Sequence, residues 1–432
     1  MLADFKPLQA WRYDPKKVTI DQVIAPPYDI ISPDEQNSLY QRSNHNCIRL
    51  ILNQREASDR DQNNPYTRAN QFFKSWQQEK ILVKESKPAY YLYRQFFKDP
   101  HTQEEKSRTA IMGRLRLEPF EKGVVVPHEK TLSKAREDRK RLLEATGANF
   151  SPVFGLYDDP DAKITGLYKG VSGEAPLFDA VDDKGVRHVV WALTDAKLTG
   201  KIHEEFQNKK IYIADGHHRY TTALHYAEKQ RLLNPHAGEL DSDYVLMALV
   251  EFHDPGMILF ATHRWLSQFD SFDEAQLVEK LKIFFSVEEI PMNKLIKELD
   301  KPASEKIQFG LLFKSMKSYQ VTLNDFKKVR QEMPADQTDR WCQMDVAILS
   351  HFILKKLWAL PEDKWESVIR YTHSTKEAIS EVENGKFAVT FLLKPPQVEV
   401  LRDMGETKEL LPQKSTYFWP KLASGLVFYS HH

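Results

Sequence analysis

The segment Ile211-Tyr-Ile-Ala-Asp-Gly-His-His-Arg-Tyr220 gathers a carboxylate, two imidazoles and a guanidinium around one glycine. A short β-rich run, Ile211 to Ala214, delivers Asp215. Gly216 removes side-chain bulk where the chain turns, and helical spacing follows from Tyr220 to Leu233. A helix N-terminus presents unpaired amide N–H groups and a partial positive charge, both of which favour phosphate. Arg219 adds a planar fork of donors for phosphate oxygens. Asp215 can hold Mg²⁺, an ion that takes one or two carboxylates plus substrate phosphate oxygens. His217 and His218 can contact phosphate or move a proton near neutral pH. The plainer reading is an Asp-Gly turn with a capped helix, Arg219 pairing with Asp215. The density of functional types where rigid elements aim a loop favours a site instead.

Four other stretches carry candidate chemistry. In Pro127-His128-Glu129-Lys130-Thr131, adjacent His128 and Glu129 can supply a general base and its neighbour. The zincin spacing is absent, because the required second histidine would fall on Leu132. The plain alternative is a charged loop capping the next helix. In Pro26-Pro27-Tyr28-Asp29, rigid prolines either aim Tyr28 and Asp29 into a cleft or brace a domain edge. Thr262-His263-Arg264 ends a strand with two cationic-capable side chains. Pro412-Gln-Lys-Ser-Thr-Tyr-Phe-Trp-Pro-Lys421 combines phosphate-binding types (Lys414, Ser415, Thr416, Lys421) with aromatics that either stack on a base or seal a core. The closing Ser430-His431-His432 reads as a frayed end.

These stretches need strands and helices to hold them. Ser32-Pro33-Asp34-Glu35 predicts an N-cap, a first-turn proline and first-turn acids. Cys47 to Leu52 reads as a strand, and Pro65 to Leu82 as a helix burying Phe72, Phe73 and Trp76. Ala89 to Phe97 alternates as a strand with Thr109 to Leu117 as its partner. A charged helix from Ser133 to Thr146 stops at Gly147. Later elements are strands near 153–157, 245–252, 257–262, 307–313, 319–323 and 387–393, with helices at 272–285 and 345–357. Restart of the pattern after Pro235 places a domain boundary at 237/238.

Composition bounds the rest. The chain has 432 residues, 41% hydrophobic and 28% charged, an ordinary globular balance. Sixty-one basic side chains offset 61 acidic ones, so a global pull toward nucleic acid or anionic lipid is not expected. Two cysteines, Cys47 and Cys342, build neither a disulfide framework nor a cysteine zinc site, and suit a reducing, cytoplasmic setting. A P-loop, a dinucleotide glycine fingerprint, a nucleophile elbow and a Cys-x-x-Cys pair are all missing from the sequence.

Taken jointly, the motifs resemble a widespread prokaryotic family of unknown function whose signature is Ile-Ala-Asp-Gly-His-His-Arg-Tyr. The match runs through Ala25-Pro-Pro-Tyr-Asp29, Arg108-Thr-Ala110, Val126–Thr131, Gly147-Ala-Asn-Phe-Ser-Pro152, Thr262-His-Arg264 and Pro412-Gln-Lys-Ser-Thr416. The Asp215–Arg219 turn is also similar to the phosphate-handling turn of the ParB/sulfiredoxin-like fold, which includes free serine kinases. His217 stands where sulfiredoxins carry a reactive cysteine. Tyr220 follows Arg219 where the ParB branch continues with arginines. The kinase branch fits best. This resemblance implies a mixed α/β chain of α+β class, with a ParB/sulfiredoxin-like core, large elaborations and a second α+β lobe. It divides into 1–237, holding the Asp215–Arg219 turn, and 238–432, contributing the Thr262–Arg264 and Pro412–Thr416 motifs.

The implied activity is phosphoryl transfer from ATP or ADP, with Mg²⁺, to a small hydroxyl-bearing metabolite such as free serine. In that scheme Asp215 holds the metal, and Gly216, His217, His218 and Arg219 meet the phosphates. Glu129 takes the hydroxyl proton, Arg264, Lys414, Ser415 and Thr416 bind phosphate, and Tyr28, Asp29 and His128 meet the substrate. A nucleotide-binding regulatory protein and a phosphoester hydrolase are the rival readings. The expected partners are a nucleotide and a small molecule, not membrane or nucleic acid, with self-association left open.

Overall fold

The computed structural model describes residues 3–100, 102–129, 133–269, 272–299, 306–412 and 414–432. It is an α+β chain of two units. The first comprises Met1–Pro127, Thr131–Ile258 and Pro420–His432; the second comprises His128–Lys130 and Leu259–Trp419.

A nine-stranded mixed sheet forms the frame of the first unit. Its strands are β1 (Phe5–Lys6), β2 (Tyr90–Lys98), β3 (Glu105–Arg116), β4 (Val125–Val126), β5 (Val153–Tyr157), β6 (Phe178–Val181), β7 (Arg187–Leu193), β8 (Ile211–Asp215) and β9 (Tyr244–Glu251). The order is β4-β8-β5-β9-β3-β2-β7-β6, with β1 added on β3. β4·β8 and β5·β9 run parallel and the remaining pairs antiparallel. β8 lies between β4 and β5, and all but its last residue is buried. That explains its continuous apolar run, since a strand covered on both faces does not alternate.

Four helices matter for the site or its frame: α1 (Pro65–Gln78), α2 (Ser133–Thr146), α3 (Ala196–Phe206) and α4 (His217–Leu233). Gly147, at φ +55°, ends α2 in the left-handed region that glycine enters without a Cβ penalty. α4 buries Tyr220, Ala223, Tyr226 and Ala227 in the core beside Ile211, Ile213 and Val245. The Tyr220 hydroxyl donates to the Glu118 carbonyl at 2.9 Å, and its ring stacks on Phe120. Burial of such a ring contributes on the order of 1.5–3 kcal/mol.

The second unit has its own six-stranded antiparallel sheet and its own core. Its strands are β10 (His263–Leu266), β11 (Phe285–Glu289), β12 (Gln308–Phe313), β13 (Ser318–Leu323), β14 (Ile369–Thr372) and β15 (Val389–Leu392), in the order β11-β13-β12-β15-β10-β14.

Several expectations hold: the Ser32 cap accepting from the Glu35 N–H, the β2/β3 pair, and α2 with its glycine stop. Others do not. Residues 48–51 form a helical turn, Ile48–Ile51, where a strand was expected. Asn46 explains the turn: its side chain accepts from the Ile48 N–H at 2.9 Å, and helical φ and ψ begin at Cys47. Residues 345–357 divide into Asp345–Ala347 and a π-helix, Ile348–Leu357. The contact boundary falls after Ile258, not at 237/238, because β9 sits in the middle of the first sheet. Nor is the C-terminus frayed. Tyr429–Ser430 pairs with Ala148–Asn149, and both ring nitrogens of His431 are buried.

Candidate active site

The turn after β8 is shaped by a bulge. Register against β5 shifts between Ile213 and Asp215, leaving Ala214 as the extra residue and re-aiming Asp215. Gly216 then takes φ +90°, a conformation that L side chains rarely adopt. A Cβ there would also lie 2.8 Å from the Arg219 guanidinium, so the glycine is what lets Arg219 fold back over the turn. Gly216, at the N-cap, has no side chain to cap α4. The turn thus combines a glycine-started helix with a guanidinium laid across it.

Asp215 is held from three sides. Its Oδ1 accepts from the Gly216 N–H at 2.9 Å, Lys421 Nζ donates to Oδ2 at 3.2 Å, and Arg219 Nη2 lies 3.7 Å from Oδ2. Burial by itself would raise the carboxyl's pKa. Lys421 and Arg219 outweigh it and keep the group well below the usual carboxylate range. Arg219 is also anchored through Nη1 to the Pro152 carbonyl, while its Nε is buried without a hydrogen-bond partner. His217 is buried and His218 half-buried. Each Asp215 oxygen already accepts from one donor and two cations sit beside it, so a metal ion bound there would compete with Lys421 and Arg219 for the carboxylate.

Lys421 arrives on the returning C-terminal segment, which is fixed strand by strand. Arg108 donates to the Pro420 carbonyl and, at 2.6 Å, to Gln95 Oε1; Gln95 Nε2 donates to the Lys421 carbonyl at 2.9 Å. Burial pushes the Arg108 pKa down to about 10, and Tyr93, Asp254 and Asp215 lean against that shift. Ser424 exchanges backbone hydrogen bonds with Ala25 and its hydroxyl meets Ser151 at 2.7 Å. The Ala25–Asp29, Arg108–Ala110 and Gly147–Pro152 motifs are therefore braced by one segment.

Tyr28 belongs to the same neighbourhood. Its ring carries the Arg139 guanidinium at 3.8 Å, and it is within electrostatic reach of Arg219 and Asp215. Burial raises the phenol's pKa, so it stays a donor at neutral pH. Asp29 beside it is exposed.

The remaining candidates form a separate set within the second unit. His128 Nε2 meets Thr416 Oγ1 at 2.8 Å, the His128 carbonyl accepts from the Leu411 N–H at 2.7 Å, and Glu129 accepts from the Lys414 N–H. Ser415 donates to the Pro412 carbonyl. Arg264, 2% exposed, donates to the Thr262 carbonyl at 2.7 Å and to the Lys414 carbonyl at 3.4 Å, and burial lowers its pKa. The aromatics of the Pro412–Lys421 stretch stack on one another's neighbours: Phe260 on Tyr417 and Trp419, and His373 on Tyr417 at 3.6 Å. Lys130 and Thr131 lie outside the described residues.

Sequence reasoning missed the Lys421–Asp215 pair and the stacking of Arg139 on Tyr28; only the basic character of each residue was visible beforehand. Among the described residues, Asp158, Glu251 and His253 also bring one ligand atom each within 4.8 Å of one another. They lie at the ends of β5 and β9, and because β8 opposes β5 this is the opposite edge of the strands from Asp215.

The family described as "Protein of unknown function (DUF1015)" matches residues 5–347. The chain belongs to it. A search of curated proteins found no match. Among solved structures, the chain is similar to a conserved hypothetical protein from Pyrococcus furiosus, at 15% identity and TM-score 0.35 over 73% of this chain and 95% of that one. It is similar also to a free serine kinase in complex with AMP, at 15% identity and TM-score 0.34 over 72% and 86%. SbnI with C-terminal truncation from Staphylococcus aureus aligns at 9% identity and TM-score 0.34 over 72% and 85%. Among the described residues, no helix is long and apolar enough to cross a membrane.

Proposed function

We propose that this chain transfers a phosphoryl group from ATP or ADP to a small hydroxyl-bearing metabolite, with free serine the first acceptor to test. The reading rests on one observation: the helix that starts at Gly216 carries two cations beside its first turn, and they share a single carboxylate, Asp215. A backbone N-terminus plus fixed positive side chains is what a polyphosphate requires.

Phosphoryl transfer asks the protein chiefly for positioning and charge stabilisation. Arg219 and Lys421 supply the charge, and Asp215 holds both in place. Its role is that of an anchor. His218, half-buried in the first turn of α4, is assigned the hydroxyl proton. Glu129, the base expected from sequence, remains a proposal tested beside it. Mg²⁺, when bound, neutralises charge on the nucleotide's own phosphates.

The test is incubation of the pure protein with ATP or ADP, Mg²⁺ and a panel of amino acids and sugars, read by ³¹P NMR. A phosphorylated acceptor that disappears in His218→Ala supports the reading, and Glu129→Gln reports on the other base. Nucleotide bound but never consumed would instead leave a regulatory binder. Phosphate released without an acceptor would mark a hydrolase.

A further inference from the structure

Beside the turn, within the first unit, lies a cavity of about 50 Å³. Its lining is partly aliphatic, with Ile51, Leu142 and Val245, and partly polar, with Tyr28, Arg139, Arg219 and Ser151. A cavity needs only about 10–15 Å³ to admit a water, so this one has room for a small polar group.

The polar lining is rich in donors. Arg219 lines the cavity and its Nε is buried with no hydrogen-bond partner. An orphaned buried donor is costly unless something accepts from it. Tyr28 stays a protonated phenol. Its ring is fixed by Arg139, whose Nη1 donates to the Ile51 carbonyl at 2.8 Å and whose Nε donates to Asp138 at 2.8 Å. Asp138 in turn accepts from the Tyr66 hydroxyl at 2.8 Å. The donor lining is therefore built before any ligand arrives. Two arginines line the cavity, and among the described residues neither Asp nor Glu does.

From this geometry we infer that the cavity seats the carboxylate and adjoining carbon of the phosphoryl acceptor, so that the acceptor is a small hydroxy carboxylate and not a sugar or a simple alcohol. A carboxylate is the acceptor-only group that the orphaned Arg219 Nε and a protonated phenol select. The aliphatic lining accommodates the first carbon. Arg139 is here a positioning residue, acting through Tyr28. This assignment deepens the phosphotransferase reading and rests on it for the word acceptor; the carboxylate site itself can be tested without turnover.

The experiment is calorimetric titration of the full chain with two matched pairs, L-serine against ethanolamine and glycerate against glycerol, with and without ADP. Each pair differs at the carboxylate. The carboxylate member is expected to bind at least tenfold tighter. Tyr28→Phe should abolish most of that preference, as should Val245→Phe, which fills the aliphatic part of the cavity, while both retain ADP binding. Since Val245→Phe risks unfolding in a central strand, circular dichroism and the milder Tyr28→Phe keep the test decisive. Equal binding within each pair, or carboxylate preference intact in a folded Tyr28→Phe, would overturn the assignment and mark the space as a packing void. Carboxylates bound without any nucleotide binding would instead sink the phosphotransferase reading and leave this site standing.

Discussion

The ammonium of Lys421 donates to the Asp215 carboxylate at 3.2 Å across 206 residues of sequence. Through this pair the C-terminal segment completes a turn built on β8 and α4. Asp215 thereby holds two cations at the start of α4.

If Asp215 exists to hold those cations, breaking the pair should cost stability as well as binding. Lys421→Met is expected to lose about 1–3 kcal/mol, part of the pair being open to solvent. Adding Asp215→Asn should recover part of that loss, giving a coupling on the order of 0.5–3 kcal/mol in a double-mutant cycle. Urea unfolding of the four proteins measures it. Strict additivity would show that the pair does not act as a unit.

Gly216→Ala meets two obstacles, a left-handed φ of +90° and the Arg219 guanidinium 2.8 Å from the new Cβ. The backbone alone costs about 1–2 kcal/mol. Arg219 must also move off the turn, so nucleotide affinity should fall further than stability does. Thermal unfolding and a binding titration, run on the same variant, separate the two effects.

Acid should weaken the fold in two windows. Burial, with help from His432, brings the His431 pKa down to about 3. The unfolded imidazole titrates near about 6.5, so it binds protons before the folded one does. Its contribution is complete above about pH 6.5 and is lost as pH falls toward 3, at up to about 1.4 kcal/mol per unit. Asp215, held low by Lys421 and Arg219, contributes fully above its unfolded value of about 3.9 and loses that only in stronger acid. His431→Phe should flatten the stability profile between pH 6.5 and 4, and Asp215→Asn should flatten it only below about pH 4. Chemical denaturation across pH gives both.

What the sequence revealed is local. β8 and α4 announce themselves because a continuous apolar run and a 3.6-residue spacing flank a glycine, and paired strands such as Tyr90–Lys98 and Glu105–Arg116 alternate as strands should. The turn's reactive residues are neighbours in the chain, so their meeting requires no tertiary knowledge. Asn46 hid the helical turn at Ile48–Ile51, because a side-chain bond to the Ile48 N–H outweighed the strand-like run of Cys47 to Leu52. Lys421 read as a phosphate-binding type within Pro412–Lys421, but nothing in Pro420–His432 signals that it returns to Asp215. Arg139 sat in a helix that looked uniformly charged, and its stacking on Tyr28 depends on a contact more than a hundred residues away. In the second unit, His128 meets Thr416, and Glu129 and Arg264 each meet the backbone of Lys414, pairings between distant stretches that no local pattern announces.

The most direct test of the phosphate-binding turn is a calorimetric titration of ATP and ADP into wild type, Arg219→Ala and Lys421→Ala. The account predicts saturable binding to wild type, weakened at least tenfold in each variant and more in low salt than in high, as expected of protein cations meeting phosphate. Undiminished affinity in both variants, with the fold intact, would contradict it.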